Sequence, residues 1–192
     1  MEKRFAARAF SEKKIEKDEI DQILEMIRLS PSAMNLQPWK IKVIDDDNLK
    51  EELYQNSWDQ KHIKTCSHVL LMCANTDLEG QAEKIINGIK ASGAPDEVLE
   101  FYKMVAKRLT QGKSEQLLCE AQKNVFIATT QGAYAAKSLG IDSCIVQGFD
   151  PEAFARILKL PDNIVPTVIL VLGYALEEPS TKIRFPKEEI ML

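Results

Sequence analysis

Histidine is nearly absent from this chain. His62 and His68 are the only two in 192 residues, which excludes a histidine-rich metal site. Cysteine is scarce as well. Cys66, Cys73, Cys119 and Cys144 form no CxxC pair, and none stands beside a histidine at metal-ligand spacing. Cys73 and Cys144 lie inside apolar runs, which reads as buried, reduced thiols and a reducing compartment. The eight glycines build no GxGxxG fingerprint, no Walker loop and no GxSxG elbow. The longest apolar run, Val165 to Leu176, contains Pro166 and is too short to cross a bilayer. The opening MEKRFAARAF lacks the apolar stretch of a secretory signal. A cytoplasmic protein with no membrane partner is expected.

Charge of one sign is not in large excess either. Lys and Arg total 25 against 29 for Asp and Glu, a net charge of -4. There is no long basic run, so no nucleic-acid partner is expected. With 45% apolar and 28% charged residues, the chain reads as an ordinary globular protein. Its length fits a single domain over residues 1–192, with a helical excursion at about 79–112. Side-chain triads have thin material here, so an enzyme of this composition would draw its chemistry from a bound cofactor.

What is present is a clear sequence of elements. Ile20, Ile23, Leu24 and Ile27 form one apolar stripe, predicting a helix from Asp18 to Leu29 that Pro31 terminates. Trp39 to Ile44 alternates apolar residues with Lys40 and Lys42, a half-buried strand. Asp46-Asp47-Asn48 starts a short helix bearing Leu49 and Leu53. Val69 to Ala74 is continuously apolar, which suits a strand buried on both faces. The excursion at 79–112 is helical and broken at Gly93-Ala94-Pro95. Ser114 to Leu139 is one long helix, with Gly140 at its C′ position. Ser143 to Val146 is a short strand. Asp150 caps the next helix, with Pro151 at N1, and Thr167 to Leu172 is a central β-rich run. The order implies an α+β, three-layer αβα arrangement around a small mixed sheet. In the long helix, Ala128 to Ala136 is rich in small residues. That stretch fits either core packing or the close approach of another backbone or a flat ligand.

Two cationic pairs flank the chain, Arg4 with Arg8 and Lys182 with Arg184. Such pairs suit phosphate, although a pair of this kind taken alone is more often a solvated face. The segment Pro31-Ser32-Ala33-Met34-Asn35-Leu36-Gln37-Pro38-Trp39 is a proline-bracketed connector between helix and strand, rich in amides. By composition it could be a plain connector or a loop presented to a planar heterocycle.

That segment resembles the PSxxNxQPW signature of the FMN-dependent NAD(P)H nitroreductases. Arg4-Phe5-Ala6-Ala7-Arg8-Ala9-Phe10 is similar to the family's N-terminal segment. Trp58 to Ile63 before Ser67-His68-Val69, Leu139-Gly140-Ile141, Gln147-Gly148-Phe149-Asp150 and Lys182-Ile183-Arg184-Phe185 follow in the family's order. The stretch from about 79 to 112 matches least.

The resemblance implies a nitroreductase-like fold, three layers αβα with a mainly antiparallel sheet and a long central helix. It implies FMN as cofactor and NADH or NADPH as electron donor. The expected cycle is ping-pong, with hydride passing to flavin N5 and then two electrons to an electron-poor small-molecule acceptor such as a nitroaromatic or quinone. A flavoenzyme with one dedicated substrate of enone, flavin or dehalogenation type is the alternative, and a non-catalytic flavin-binding protein is a further one. Arg4, Lys182 and Arg184 would hold the FMN phosphate, with Phe5 and Ala6 alongside. Arg8 would face the pyrimidine end of the isoalloxazine, where a cation stabilises the charge of reduced flavin. Pro31, Ser32, Ala33 and Asn35 would come from the partner of a homodimer whose FMN lies at the interface. Asp59 and His62 would complete the cofactor contacts, and the backbone of Gln147 and Gly148 would serve N5. No catalytic side chain and no metal are expected. Ala6 departs from the family's serine, Asp59 from its asparagine, His62 from its lysine or glutamine, and Gln147 from its glutamate.

Overall fold

Four apolar runs become the strands of one sheet in the computed structural model, which describes residues 3–192. They are β1 (Trp39–Ile44), β2 (His68–Asn75), β3 (Asp142–Val146) and β4 (Ile164–Gly173), in the order β1-β2-β4-β3. Each neighbouring pair is antiparallel. Parallel pairing enters through one isolated bridge, between Ala6 and Ser143. The central position of β2 explains its unbroken apolar run, because helices cover it on both sides.

Side chains alternate along the central strands and so feed two cores. Leu70, Met72, Ala74, Val168, Leu170 and Leu172 face α1 (Lys17–Arg28) and α6 (Ser114–Ser138). Val69, Leu71, Cys73, Ile169 and Val171 face α2 (Asp47–Tyr54), α3 (His62–Thr65) and α7 (Pro151–Ile157). The result is the three-layer arrangement expected from the order of elements.

The local signals act as their chemistry requires. Asp46 accepts the Leu49 N–H at 2.7 Å and starts α2. Asp150 accepts the Glu152 and Ala153 N–H groups at 2.9 and 3.0 Å and starts α7. Gly140 ends α6 with φ +78°, a conformation that costs an L residue. The small residues of α6 serve packing. A Cβ on Gly132 would lie 2.8 Å from Ile27 Cδ1 and 3.1 Å from Leu170 Cδ2. This stretch is where α6 sinks between α1 and the sheet.

The structure departs from the simple alternation in β1. Val43 is exposed and Ile44 is buried in the α2 core. The strand lies at the sheet edge, where Val43 lines an open cavity with Ile20 and Leu24 of α1. The excursion resolves into α4 (Leu78–Ala91) and α5 (Asp96–Thr110), which build a separate small apolar cluster. No helix is long and apolar enough to cross a membrane among the described residues.

Candidate functional site

The N-terminal arm runs along the outer edge of β3. Ala7 N–H donates to Ser143 O at 3.2 Å, and Ala6 bridges to the same residue. Phe10 anchors the arm against the end of the sheet, where a Cβ on Gly173 would come within 2.6 Å of its ring. Arg4 is half-buried and donates from Nη1 to Phe5 O at 3.1 Å. Arg8 is exposed, and its backbone N–H donates to Glu177 Oε1 at 2.5 Å.

β3 leads into Gln147-Gly148-Phe149-Asp150, and the turn before α3 closes over it. Asp150 N–H donates to Asn56 O at 2.9 Å. A Cβ on Gly148 would lie 2.8 Å from Gln60 Nε2 and 3.3 Å from Trp58 Cε3, so glycine is what permits this approach. Trp58 and Asp59 take the left-handed conformation, with φ of 49° and 58°. Tyr54 OH donates to Asp59 Oδ1 at 2.5 Å. The aspartate is therefore engaged by a phenol rather than by Arg8. Among the described residues, neither the Gln147 nor the Gly148 N–H meets an acceptor.

α3 places His62 at this edge, 4% exposed, with no hydrogen-bond partner for its Nε2 among the described residues. Burial, reinforced by the Arg8 guanidinium and opposed by Glu177, pushes its pKa below the ordinary imidazole value. The shift favours the neutral form of the ring. A buried polar atom without a partner costs about 1–3 kcal/mol, which marks a group suited to a ligand.

The Pro31–Pro38 loop lies at the opposite edge, leading into β1. Strands pack about 4.8 Å apart, so the two edges of a four-stranded sheet are separated by roughly 14 Å. Met34, Asn35 and Gln37 have φ of 53°, 55° and 46°. Left-handed backbone costs an L residue about 1–2 kcal/mol, so three such positions need bracing. Ser32 Oγ accepts the Gln37 N–H at 2.9 Å. Asn35 Oδ1 accepts from Gln37 Nε2 at 3.0 Å. Asn124 of α6 accepts the Ala33 N–H at 2.9 Å and donates to Glu120 O at 2.8 Å. The Ala33 amide is thus already used within the chain.

The structure therefore gathers Arg4, Phe5, Ala6, Arg8, Asp59, His62, Gln147 and Gly148 at the β3 edge. It leaves Pro31, Ser32, Ala33 and Asn35 at the β1 edge. Lys182 and Arg184 lie in an exposed tail, where Arg184 Nη1 donates to its neighbour Ile183 O at 2.6 Å. Glu177, Asn124 and Gln60 also belong to this description. Sequence reading assigns none of them a role: Gln60 lies inside the Trp58 to Ile63 motif without one, and the partners of Glu177 and Asn124 lie far away along the chain, where no local pattern announces them.

Other chemistry is poorly served. Burial pushes the thiols of Cys66 and Cys73 up to about 12, far from nucleophilic thiolates. A cavity of about 800 Å³ is lined by Lys14, Asp47, Lys50 and Cys66 and by none of the predicted site residues. Its lysines are committed. Lys14 and Lys50 meet Asp47 Oδ1 at 3.0 and 2.8 Å, and Lys50 Nζ donates to Cys66 O at 2.6 Å. Hydrogen bonds from these two lysines hold the Asp47 carboxyl down to about 2. The β3 edge is the better candidate, since it combines guanidinium groups, a buried imidazole and N–H donors unused among the described residues.

Comparison with known proteins agrees with this geometry. The Nitroreductase family profile matches residues 1–174. A Staphylococcus haemolyticus protein, provisionally named NAD(P)H nitroreductase SH0546, is 35% identical over 98% of this chain and 92% of its own. The crystal structure of Bacillus subtilis ydfN, provisionally a nitroreductase, superposes with a TM-score of 0.91 at 26% identity, covering 98% of this chain and 94% of that one. A protein from Exiguobacterium sibiricum of the same provisional designation, crystallised in complex with FMN, gives a TM-score of 0.88 at 25% identity, covering 98% and 92%.

Proposed function

The chain belongs to the nitroreductase family, and from that premise we propose that it is an FMN-dependent NAD(P)H oxidoreductase acting as a homodimer. The observation that carries the reading is the set of unused polar groups at the β3 edge, namely the N–H groups of Gln147 and Gly148 and the buried Nε2 of His62. A flat heteroaromatic with acceptors along its edge fits donors of this kind. FMN, when bound, supplies hydride acceptance from NADH or NADPH and two-electron delivery to an electron-poor acceptor such as a nitroaromatic or quinone.

The chain's own residues supply binding and electrostatics. Arg4, Lys182 and Arg184 hold the phosphate through charge-assisted contacts, with Phe5 and Ala6 beside Arg4. Arg8 stabilises negative charge at the pyrimidine end of the ring, next to His62. The backbone N–H groups of Gln147 and Gly148 would be the donors held toward the ring, so neither side chain would be required. Asp59, already hydrogen-bonded by Tyr54, orients the turn over Gly148.

The homodimer reading rests on two features. The loop bearing Pro31, Ser32, Ala33 and Asn35 sits across the sheet from the β3-edge groups, so a two-fold partner brings the halves together. The tail is also exposed, with Ile183 at 90% and Phe185 at 78%. Such apolar exposure marks a surface that another chain covers.

Anaerobic addition of NADH or NADPH to the purified, FMN-loaded protein tests the reading. Loss of the oxidised-flavin absorbance is expected with at least one donor. A flavin that neither donor bleaches defeats the oxidoreductase assignment.

A further inference from the structure

The pair α4–α5 is the part of the chain that resemblance explains least, and its contacts point to a use. Its apolar cluster consists of Leu36, Ala82 and Ala106, with Met34, Ile86 and Leu109 packed around them. Two of these six, Met34 and Leu36, belong to the loop that follows α1. The side chains of the loop therefore plug the seam between the two helices.

A polar contact fixes the same junction. Gln81, on the second turn of α4, donates from Nε2 to Leu36 O at 3.2 Å and to Gln37 O at 3.1 Å. One amide thus holds two consecutive carbonyls. These carbonyls lie on either side of the left-handed residue Gln37, whose side-chain amide in turn holds Asn35, also left-handed, and such conformations persist only where the surroundings impose them. Asn124 grips the other end of the loop from α6 through Ala33. The loop is clamped between two amides from different helices.

We propose that α4–α5 is the positioning element of this loop, and that Gln81 is a positioning residue that sets the orientation in which Ser32 and Asn35 meet the cofactor. The inference rests on the FMN reading above and deepens it. Gln81 touches the carbonyls behind the loop rather than the ligand. Its role is to stop the Asn35–Gln37 segment from relaxing to right-handed backbone, which would turn the Asn35 side chain away from its present direction.

The test compares Gln81→Met, which keeps length and removes the donors, with Gln81→Glu, which keeps length and sets a carboxylate against the two carbonyls. Lys90→Met, on the exposed last turn of α4, is the control. FMN affinity is read by flavin fluorescence quenching, the bound cofactor's surroundings by circular dichroism in the visible region, and fold integrity by thermal unfolding of the cofactor-free protein. Gln81→Met is expected to weaken FMN about 10-fold, the scale of one neutral hydrogen bond. It also alters the visible dichroism and leaves the unfolding midpoint near that of the parent. Gln81→Glu weakens FMN further, and Lys90→Met changes none of the three. Parent-like affinity and dichroism in both Gln81 variants overturn the proposal. So does weaker binding matched by an equivalent loss of unfolding temperature, which makes Gln81 a structural brace only. A parent protein that takes up no FMN defeats the functional reading itself, and the inference falls with it.

Discussion

At the β3 edge of the sheet main-chain and imidazole groups are left over, while in the loop from Ser32 to Gln37 at the β1 edge several polar groups are used. Ser30 Oγ, just before that loop, is buried without a partner among the described residues. Gln147 N–H, Gly148 N–H and His62 Nε2 have no partner among the described residues. Across the sheet, the Ser32 hydroxyl, the Asn35 oxygen and the Ala33 N–H each have one. The first region is built on strand and helix ends over a deep core. The second is a loop in strained backbone, clamped by Gln81 and Asn124. The contrast teaches a division of labour. The β3 edge keeps donors free for a ligand because a rigid core holds them in place. The β1 edge spends the Ala33 donor and the Ser32 and Asn35 acceptors on its own shape and has only its remaining side-chain groups to offer.

The largest expected effect comes from undermining the first region. Phe154 is fully buried beneath Phe149, with ring centroids 4.7 Å apart. Phe154→Ala should cost about 3–5 kcal/mol of stability and release FMN with it, as urea unfolding and flavin retention on gel filtration will show. A parent-like unfolding midpoint would mean that this core does not support the β3 edge.

A smaller change tells which region the tail serves. Arg184→Ala should weaken FMN by about 1.5–3 kcal/mol, the value of a charge-assisted hydrogen bond, and leave the cofactor-free protein as stable as before, since the side chain is exposed. Calorimetric titration with FMN measures it, and unchanged affinity removes Arg184 from the phosphate site.

The smallest effect is a pH slope. The folded-state pKa of His62 lies below its ordinary value of 6.5, chiefly through burial and then through Arg8. The unfolded chain therefore takes up a proton first as pH falls. Stability is unaffected by this group above pH 6.5 and declines below it, down to the depressed folded value. His62→Gln should flatten that decline in denaturation curves between pH 7 and 5. Part of the slope should remain, because burial depresses His68 as well. An unaltered slope would mean that His62 is not buried as a neutral base.

Much of this was legible in the chain. The stripe Ile20, Ile23, Ile27 and the caps Asp46 and Asp150 act through neighbours within a turn, and the elements they predict are present. The even burial of Val69 to Ala74 is equally local, since a run without polar residues has only one stable place in a sheet. The candidate site was legible as motifs, through the resemblance of Arg4 to Phe10, Pro31 to Trp39 and Gln147 to Asp150. Its wiring was not. Asn124 reaches Ala33 across 91 positions, and Gln81 reaches Leu36 across 45. A glutamine on a helix carries no mark of what its amide will hold.

The sequence by itself determined the elements, their order and the family, because periodicity, caps and ordered motifs act over a few residues. Only the tertiary structure decided that the two halves of the candidate site stand on opposite edges of one sheet, and that Ala128 to Ala136 is small so that α6 can pack against Ile27 and Leu170. It also decided which polar groups are left without partners. The physical reason is the same in each case. Strand order and side-chain satisfaction depend on distant segments meeting, and a chain read in one dimension holds no distance between them.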